Sequence, residues 1–457
     1  MGVGSSAAED LGNGGLASRN AYDNYFGRFN YDFKAKYLLE FLFRYDGSQI
    51  FPQGKRYGFF PGISGAWRLS EENFVRNALP FVNSLKLRAS YGELGNDRVG
   101  AFQYLQFFGF GGNYVFGNTV APGLTTGVLP NPNITWERAK KTDIGLEATL
   151  WNGKLGVDLT LWQQKRRDIL INRNLAIPST MGFPGVPPEN FGKVNSQGLE
   201  LILSHRNSFG PLKYDISGNV AYSVSKVIEL DEVPPAEAYQ NYTGTPIGSS
   251  LYYKADGVFN TQEELDNYPH HANSQVGDIK VVDLNKDGVI DSKDQYRFEY
   301  TATPRYVFGL NTNFQFKNFD LNIFFQGQTG VYNYDGTAAA LGNTDFSNAS
   351  VWRATDRWTE SNPNGTKPRA DAWQPGNTTF FLFDATFIRL KTIELGYNLP
   401  SAILERTKAL KNVRLFASAF NLATWSKEIK WADPELNGNF LVWPPQRIIN
   451  FGISVNF

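Results

Sequence analysis

The chain has 457 residues, with 44 Lys plus Arg against 44 Asp plus Glu, and it contains no cysteine. Because the charge is balanced and no basic cluster is present, we expect no nucleic-acid partner. The lack of cysteine excludes disulfide frameworks, thiolate metal sites and cysteine nucleophiles. Aromatic residues make up 15% of the chain, and no run of roughly eighteen apolar residues occurs that could form a transmembrane helix.

The N-terminal residues carry no secretory signal, because no positively charged start is followed by an apolar stretch. We interpret residues 1–23 as a linker that remains from a missing N-terminal part. Residues 24–457 then form one domain, and we expect the chain to be the later part of a longer exported protein.

Alternation of apolar and polar residues with a period of two recurs along the chain and predicts β-strands. The last eleven residues show it clearly, since Ile449, Phe451, Ile453 and Val455 alternate with Asn and Ser up to Phe457. About thirteen strands are predicted near 24–33, 36–46, 57–69, 84–94, 138–151, 154–166, 192–205, 211–226, 303–316, 319–331, 382–398, 411–424 and 445–457. Several of their polar faces are rich in Asn, Asp and Gln, which suits a wet lumen.

Two local signals refine these strands. Asn152-Gly153 is typical of a two-residue hairpin turn that needs positive φ. The alternation is interrupted at residues 391–393, which indicates a β-bulge.

The connections between the predicted strands alternate strictly between short and long. Short ones fall at 33–36, 151–154, 205–211 and 316–319, with helix-like pieces at 70–83 and 399–411. Long ones fall at 95–137, 166–191, 227–302, 332–381 and 425–444. Outer-membrane barrels combine short periplasmic turns with long extracellular loops. The sequence therefore predicts an all-β fold, a transmembrane antiparallel β-barrel of which this chain supplies a part, with a periplasmic C-terminus.

Nine groups of segments, in order and at the right spacing, resemble the SusC/RagA-type TonB-dependent outer-membrane transporters of Bacteroidetes-like bacteria. They are residues 25–31, 36–39 with 44–48, 60–61 with 66–72, 85–92 with 95–96, 131–133 with 136–137, 192–200, 388–391 with 395–397, 421–422 with 424–425, and 433–435.

The resemblance implies a barrel of about twenty-two strands with a plugged lumen, set in outer-membrane lipid and importing a nutrient. It also implies a SusD-like surface lipoprotein over the barrel mouth and a TonB-contacting segment in the missing N-terminal part. An oligosaccharide is favoured over a peptide as substrate. A passive outer-membrane porin and a secreted calcium-dependent carbohydrate-binding β-sandwich are the alternatives.

Residues 283–294, within the long connection 227–302, match the spacing of a calcium-binding loop. Gly288 occupies the position of the sharp turn. Oxygen donors stand at the ligand positions, namely Asp283, Asn285, Asp287, the Val289 carbonyl, Asp291 and Asp294. We predict a bound Ca²⁺ with a structural role; the alternative is a turn rich in Asp, Asn and Gly that binds no ion.

Signatures of enzymes are missing from the sequence, so we expect no catalytic activity. His205 falls in a predicted turn, His270-His271 in a predicted loop, and Asp433 with Glu435 has no placed partner for glycoside hydrolysis. Loop aromatics that could stack on sugars or contact a lid are Tyr239, Tyr242, Tyr252, Tyr253, Trp352, Trp358, Trp373, Trp431 and Trp443.

Overall fold

A computed structural model describes residues 19–173, 180, 185–336, 351–372, 376–407, 409–436, 443 and 445–457. Thirteen long strands form one antiparallel sheet, here called the wall, in which spatial order follows chain order. They are β1 Tyr22–Phe33, β2 Tyr37–Ser48, β3 Tyr57–Arg68, β4 Val82–Asn96, β5 Glu137–Leu150, β6 Leu155–Ile171, β7 Glu189–Phe209, β8 Leu212–Glu229, β9 Tyr306–Phe316, β10 Phe319–Thr329, β11 Phe387–Asn398, β12 Asn412–Ser426 and β13 Ile448–Asn456. All thirteen predicted strands are confirmed.

The two faces of the wall differ in chemistry as the alternation predicts. Val157 opposes Ala148 on one side and Leu203 on the other, and this apolar face continues across the sheet. Phe308 shares this face, whereas Asn311 lies on the opposite, polar face. Apolar side chains of the wall are exposed, with Phe451 at 83%. A sandwich would bury them between two sheets, so that alternative is excluded.

The polar face carries ion pairs that link neighbouring strands. The Arg88 guanidinium lies 3.0 Å from Glu147 and 3.2 Å from Asp158. Further along the sheet, Arg414 pairs with Asp320 and, at 2.7 Å, with Glu394. Such charges suit the water-facing side of a barrel wall.

The wall is an open sheet. Within the described residues, β1 pairs with β2 alone and β13 with β12 alone, so the first and last strands do not meet. No helix in this part of the chain is long and apolar enough to cross a membrane.

Several local predictions can be compared with the structure. The turn at 151–154 has four residues rather than two, because Leu150 opposes Leu155 and Trp151, Asn152 and Gly153 all have positive φ. The bulge is confirmed, since Lys391 has no register partner between Leu390 and Thr392. β1 begins at Tyr22, inside the segment interpreted as a linker.

Short elements occupy the connections. The two predicted helix-like pieces contain helices Asn73–Ala78 and Ser401–Leu404, and further helices lie at Gln262–Asn267 and Val351–Ala354. Short paired strands in the long connections are Phe108–Phe110 with Leu124–Thr126, Tyr114–Phe116 with Thr119–Ala121, Leu251–Tyr253 with Gln295–Arg297, Ala255–Val258 with Ile279–Val281, and Tyr332–Tyr334 with Leu382–Asp384.

Candidate functional site: the loop cap

Three long connections fold together at one end of the wall. We call the described residues of 230–305, 330–386 and 427–447 the cap. One buried cluster joins the first two connections, and a second joins the last two. The first contains Tyr253, Ile279, Val281, Ile290 and Phe381, and the second contains Val331, Phe383, Ala385 and Ile429. The cap therefore has an apolar core of its own.

Four of the predicted contact aromatics pack into or against this core. The rings of Trp352 and Trp431 stack with centroids 5.1 Å apart, and Trp352 also meets Phe383 edge-on at 5.0 Å. Tyr252 and Tyr253 are buried. Burial of aromatic rings supplies much of the energy of a core, so these four residues hold the cap together.

The other predicted aromatics have separate positions. The Tyr239 hydroxyl donates to the Lys293 carbonyl at 2.7 Å, and the Arg297 guanidinium lies 4.6 Å above the Tyr242 ring. The Trp358 indole donates to the Asn260 carbonyl at 3.3 Å. Trp443 is 93% exposed, and Trp373 lies outside the described residues. Ligand or lid contact by any of the nine aromatics stays a prediction.

An arginine of the wall, missed by the sequence reasoning, anchors the last connection of the cap. Arg389 of β11 is 1% exposed and donates to both carboxylate oxygens of Asp433, at 2.6 and 2.7 Å. It also donates to Glu435 at 2.9 Å and to the Thr424 hydroxyl at 3.0 Å. The two carboxylates considered for glycoside hydrolysis thus neutralise a buried cation. The alternation Ile388-Arg389-Leu390 marks the arginine as polar-facing, but nothing local identifies its partners.

Two further cations support the cap, one between two connections and one within the second. Arg369 donates to the buried carboxylate of Asp278 at 2.7 Å. Arg353 is buried and donates to the carbonyls of Pro368 and Arg369. Burial, with Arg357 nearby, lowers the pKa of Arg353 to about 10, so it stays charged at neutral pH.

The predicted calcium loop is a compact turn held by its own side chains. The two carboxylate oxygens of Asp283 accept from the backbone N–H groups of Lys286 and Gly288, at 2.7 and 2.8 Å. Asp294 is buried and accepts from the N–H groups of Leu284 and Asp291. Gly288 has φ +85°, which glycine adopts at little cost.

The charges of this loop are engaged within the protein. Hydrogen bonds from the Val289 backbone and the Asn285 amide lower the pKa of Asp287, and Lys293 lies 3.4 Å from Asp291. Across the described ranges, no group of three or more His, Cys, Asp or Glu is arranged to hold a metal ion. Carboxylate and carbonyl oxygens are the ligands that Ca²⁺ prefers, and each oxygen retains a second lone pair. The types of oxygen in the loop match this ion, but the carboxylates are not arranged around one point in the described residues, and binding stays a prediction.

Comparison with known proteins covers nearly the whole chain. A family model described as TonB dependent receptor-like, beta-barrel matches residues 3–422. The TonB-dependent receptor P26 of Formosa agariphila is 31% identical over 464 residues, which cover 95% of this chain and 46% of the relative. The TonB-dependent receptor SusC of Bacteroides thetaiotaomicron is 26% identical over 468 residues, which cover 96% and 44%.

Among solved structures, the RagAB peptide transporter is similar in fold, with a TM-score of 0.75, 22% identity, and coverage of 96% of this chain and 48% of that one. The chain spans about half the length of the curated relatives it matches.

Proposed function

The chain belongs to the TonB dependent receptor-like β-barrel family, and we propose that it forms wall and surface cap of an outer-membrane transporter that imports a bulky nutrient. The observation that carries this proposal is the wall itself, an ordered row of thirteen antiparallel strands with one apolar and one ion-paired face. An apolar face of this extent is stable against lipid and costly in water.

In this proposal the short turns and the C-terminus are periplasmic and the cap is extracellular. The remaining half of the full-length protein supplies further strands, the plug and the segment that contacts TonB. A lumen wide enough for an oligomer has to be gated, so import through it depends on that plug and on energy from TonB. A SusD-like lipoprotein closes over the cap, where Trp443 and other apolar side chains are exposed.

We further propose an oligosaccharide as the cargo. The RagAB transporter, which is similar in fold, carries peptides, so a peptide is the alternative cargo. The aromatic-rich cap supports the sugar, because indole and phenol rings offer flat apolar surfaces beside polar groups.

Growth tests this function. Deletion of the full-length gene should abolish growth on one glycan as sole carbon source, and a strain without TonB should show the same defect. If the deletion strain loses growth on peptides and on no glycan, the cargo is a peptide and the proposed oligosaccharide is wrong. If growth on all sources persists while small solutes diffuse through the purified protein, the protein is a passive porin.

The loop 283–294 is proposed to bind one structural Ca²⁺. Calorimetric titration of the full-length protein should show one site, which the double variant Asp283→Ala/Asp287→Ala removes. Asp371→Ala, which changes an exposed carboxylate elsewhere in the cap, serves as the control. Heat of binding that is unaltered in the double variant would reduce the loop to a turn.

A further inference from the structure

A row of side chains crosses the polar face of the wall about halfway along the strands. Asp143 of β5 opposes Trp162 of β6, Trp162 opposes Gly198 of β7, and Gly198 opposes Ser223 of β8. The Ser223 N–H donates to the Arg305 carbonyl at 2.9 Å, which extends the row to a fifth position. Directly opposed residues share a face of a sheet, so the indole lies on the polar face beside Asp143, with the Lys141 ammonium 5.9 Å from its ring centroid.

Glycine at position 198 allows the indole to lie across the neighbouring strand. A Cβ at Gly198 would stand closest to the Tyr222 carbonyl oxygen, and 2.6 Å from Cζ2 and 2.7 Å from Cε2 of Trp162. Any larger residue would displace both the ring and the neighbouring strand. The strand backbone therefore supports the indole from below, and the indole lines a cavity above the wall.

This cavity has a volume of about 300 Å³, at the lower end of the range for small-ligand pockets. Hydroxyl groups of the wall and two charged residues of the cap line the cavity with the indole; the Arg305 guanidinium donates to the Glu299 carbonyl at 2.8 Å and lies 4.0 Å from the Tyr300 ring centroid. The residues that matter are Trp162, Ser196, Ser223, Thr301, Glu299 and Arg305. Within the part of the chain that the structure describes, the Ser196 and Ser223 hydroxyls and the Trp162 N–H have no protein hydrogen-bond partner.

These groups match a sugar ring. A pyranose presents C–H groups on a face, which pack on an aromatic ring, and hydroxyls around its rim, which both donate and accept. Serine hydroxyls can both donate hydrogen bonds to the sugar hydroxyls and accept hydrogen bonds from them. A carboxylate accepts such bonds and a guanidinium donates them. An extended peptide is instead commonly bound along a free strand edge. The strands at this row are paired on both sides, so no such edge is available.

We propose that this cavity binds one pyranose unit of a neutral oligosaccharide on the lumen wall. The inference rests on the proposed import function and deepens it, since it assigns a sugar contact to the wall in addition to the cap. A purely structural role competes with it, because an aromatic ring over a glycine also fills a gap in a sheet.

The test uses the purified full-length transporter with glucose hexasaccharides of α-1,4, β-1,3 and β-1,4 linkage, and with mixed hexapeptides. We expect Trp162→Leu to weaken binding of at least one hexasaccharide about tenfold, the loss typical of a buried aromatic anchor. Gly198→Ala should weaken it as well, because the new Cβ displaces the ring, but it also meets the Tyr222 carbonyl, so this variant counts only if its wall is intact. Ser196→Ala/Ser223→Ala should weaken it without touching the ring. Trp151→Leu, a half-exposed indole in the turn 151–154, should bind like wild type.

Heat-dependent migration in gels reports the integrity of the wall in each variant. Normal sugar affinity in Trp162→Leu and in the serine double variant overturns the inference, as does loss of affinity for hexapeptides instead of sugars. The structural role is supported, and the sugar site rejected, if only variants with a weakened wall lose binding. Absence of any TonB-dependent glycan uptake by wild type would contradict the proposed function itself. Normal uptake with unaltered binding in the variants would contradict the wall cavity alone.

Discussion

Phenylalanine has opposite surroundings in the wall and in the cap. Phe451 of β13 is 83% exposed, whereas Phe381 of the cap is completely buried. The apolar side chains of the wall thus need an apolar environment outside the protein, which lipid provides in a membrane. The cap buries its own apolar side chains, as the core of a water-soluble domain does.

The charged groups differ in the same sense. Arg88 of the wall is partly exposed and forms ion pairs with partners on neighbouring strands. Arg389, at the junction of wall and cap, is buried and bound by carboxylates far away in the chain. A buried cation without its partner is far more costly than an exposed one, so the cap is the region in which single substitutions should have large effects.

The largest effect is expected for Phe381→Ala. Removing a buried phenyl ring leaves a cavity and costs roughly 3–5 kcal/mol. Limited proteolysis of the full-length protein should show much faster cleavage within the cap. Phe451→Ala is the control, and the cap should then be cut at the wild-type rate. Equal cleavage of both variants would show that the cap has no independent core.

A somewhat smaller effect is expected for Arg389→Met, which should destabilise the cap by about 3 kcal/mol. The Asp433 carboxylate is nearly buried and loses the cation that neutralises it. Glu435 is more exposed and can be solvated. Proteolysis at increasing temperature detects opening of the cap and so measures the change in stability. The double variant Arg389→Met/Asp433→Asn should recover part of the loss. If the double variant is less stable than Arg389→Met, the charge imbalance is not the cause.

A pH-dependent effect is expected at Glu72, in the connection between β3 and β4. Hydrogen bonds from Tyr37, Lys36 and Trp67 lower the pKa of Glu72 to about 2. The pKa is depressed in the folded state, so the stabilisation is complete above the ordinary Glu value of about 4.3. It is lost as the pH falls to about 2. Hydrogen exchange at this end of the wall should accelerate in that window.

Two variants sharpen the pH experiment. Glu72→Gln should remove the acceleration between about pH 4.3 and about pH 2, because no carboxylate is left to protonate. Glu71→Gln, which changes the adjacent exposed carboxylate, should retain it. An unchanged pH profile in Glu72→Gln would assign the loss to another group.

The smallest effect is expected for Arg28→Gln on the wall. Its guanidinium is exposed and lies 3.8 Å from Glu40, and exposed pairs contribute about 0–1 kcal/mol. Heat-dependent migration of the barrel should therefore be nearly unchanged. A shift as large as that of Arg389→Met would mean that ion pairs in wall and cap are equivalent.

The sequence by itself determined the wall. Strand identity, order and the division into two faces follow from a period of two, which depends on backbone geometry and is readable locally. Even the bulge at Lys391 was predicted, because a break in alternation is a local event. The turn at 151–154 was predicted two residues too short, since Asn-Gly signals positive φ but not where pairing ends.

Only the tertiary structure decided the cap and the cavities. Three contacts join residues between 36 and 79 positions apart in the chain. They are the stacking of Trp352 on Trp431, the ion pair of Arg389 with Asp433, and the packing of Trp162 over Gly198. The first two contacts depend on which connections pack together, and loops have no periodic pattern that encodes this. The third depends on the register between β6 and β7, and a shift of two residues would leave both faces unchanged. The sequence showed that aromatic and carboxylate side chains are present in the long connections. Packing placed Trp352, Trp431, Tyr252 and Tyr253 in or near the core of the cap, and strand register placed Trp162 on the polar face of the wall.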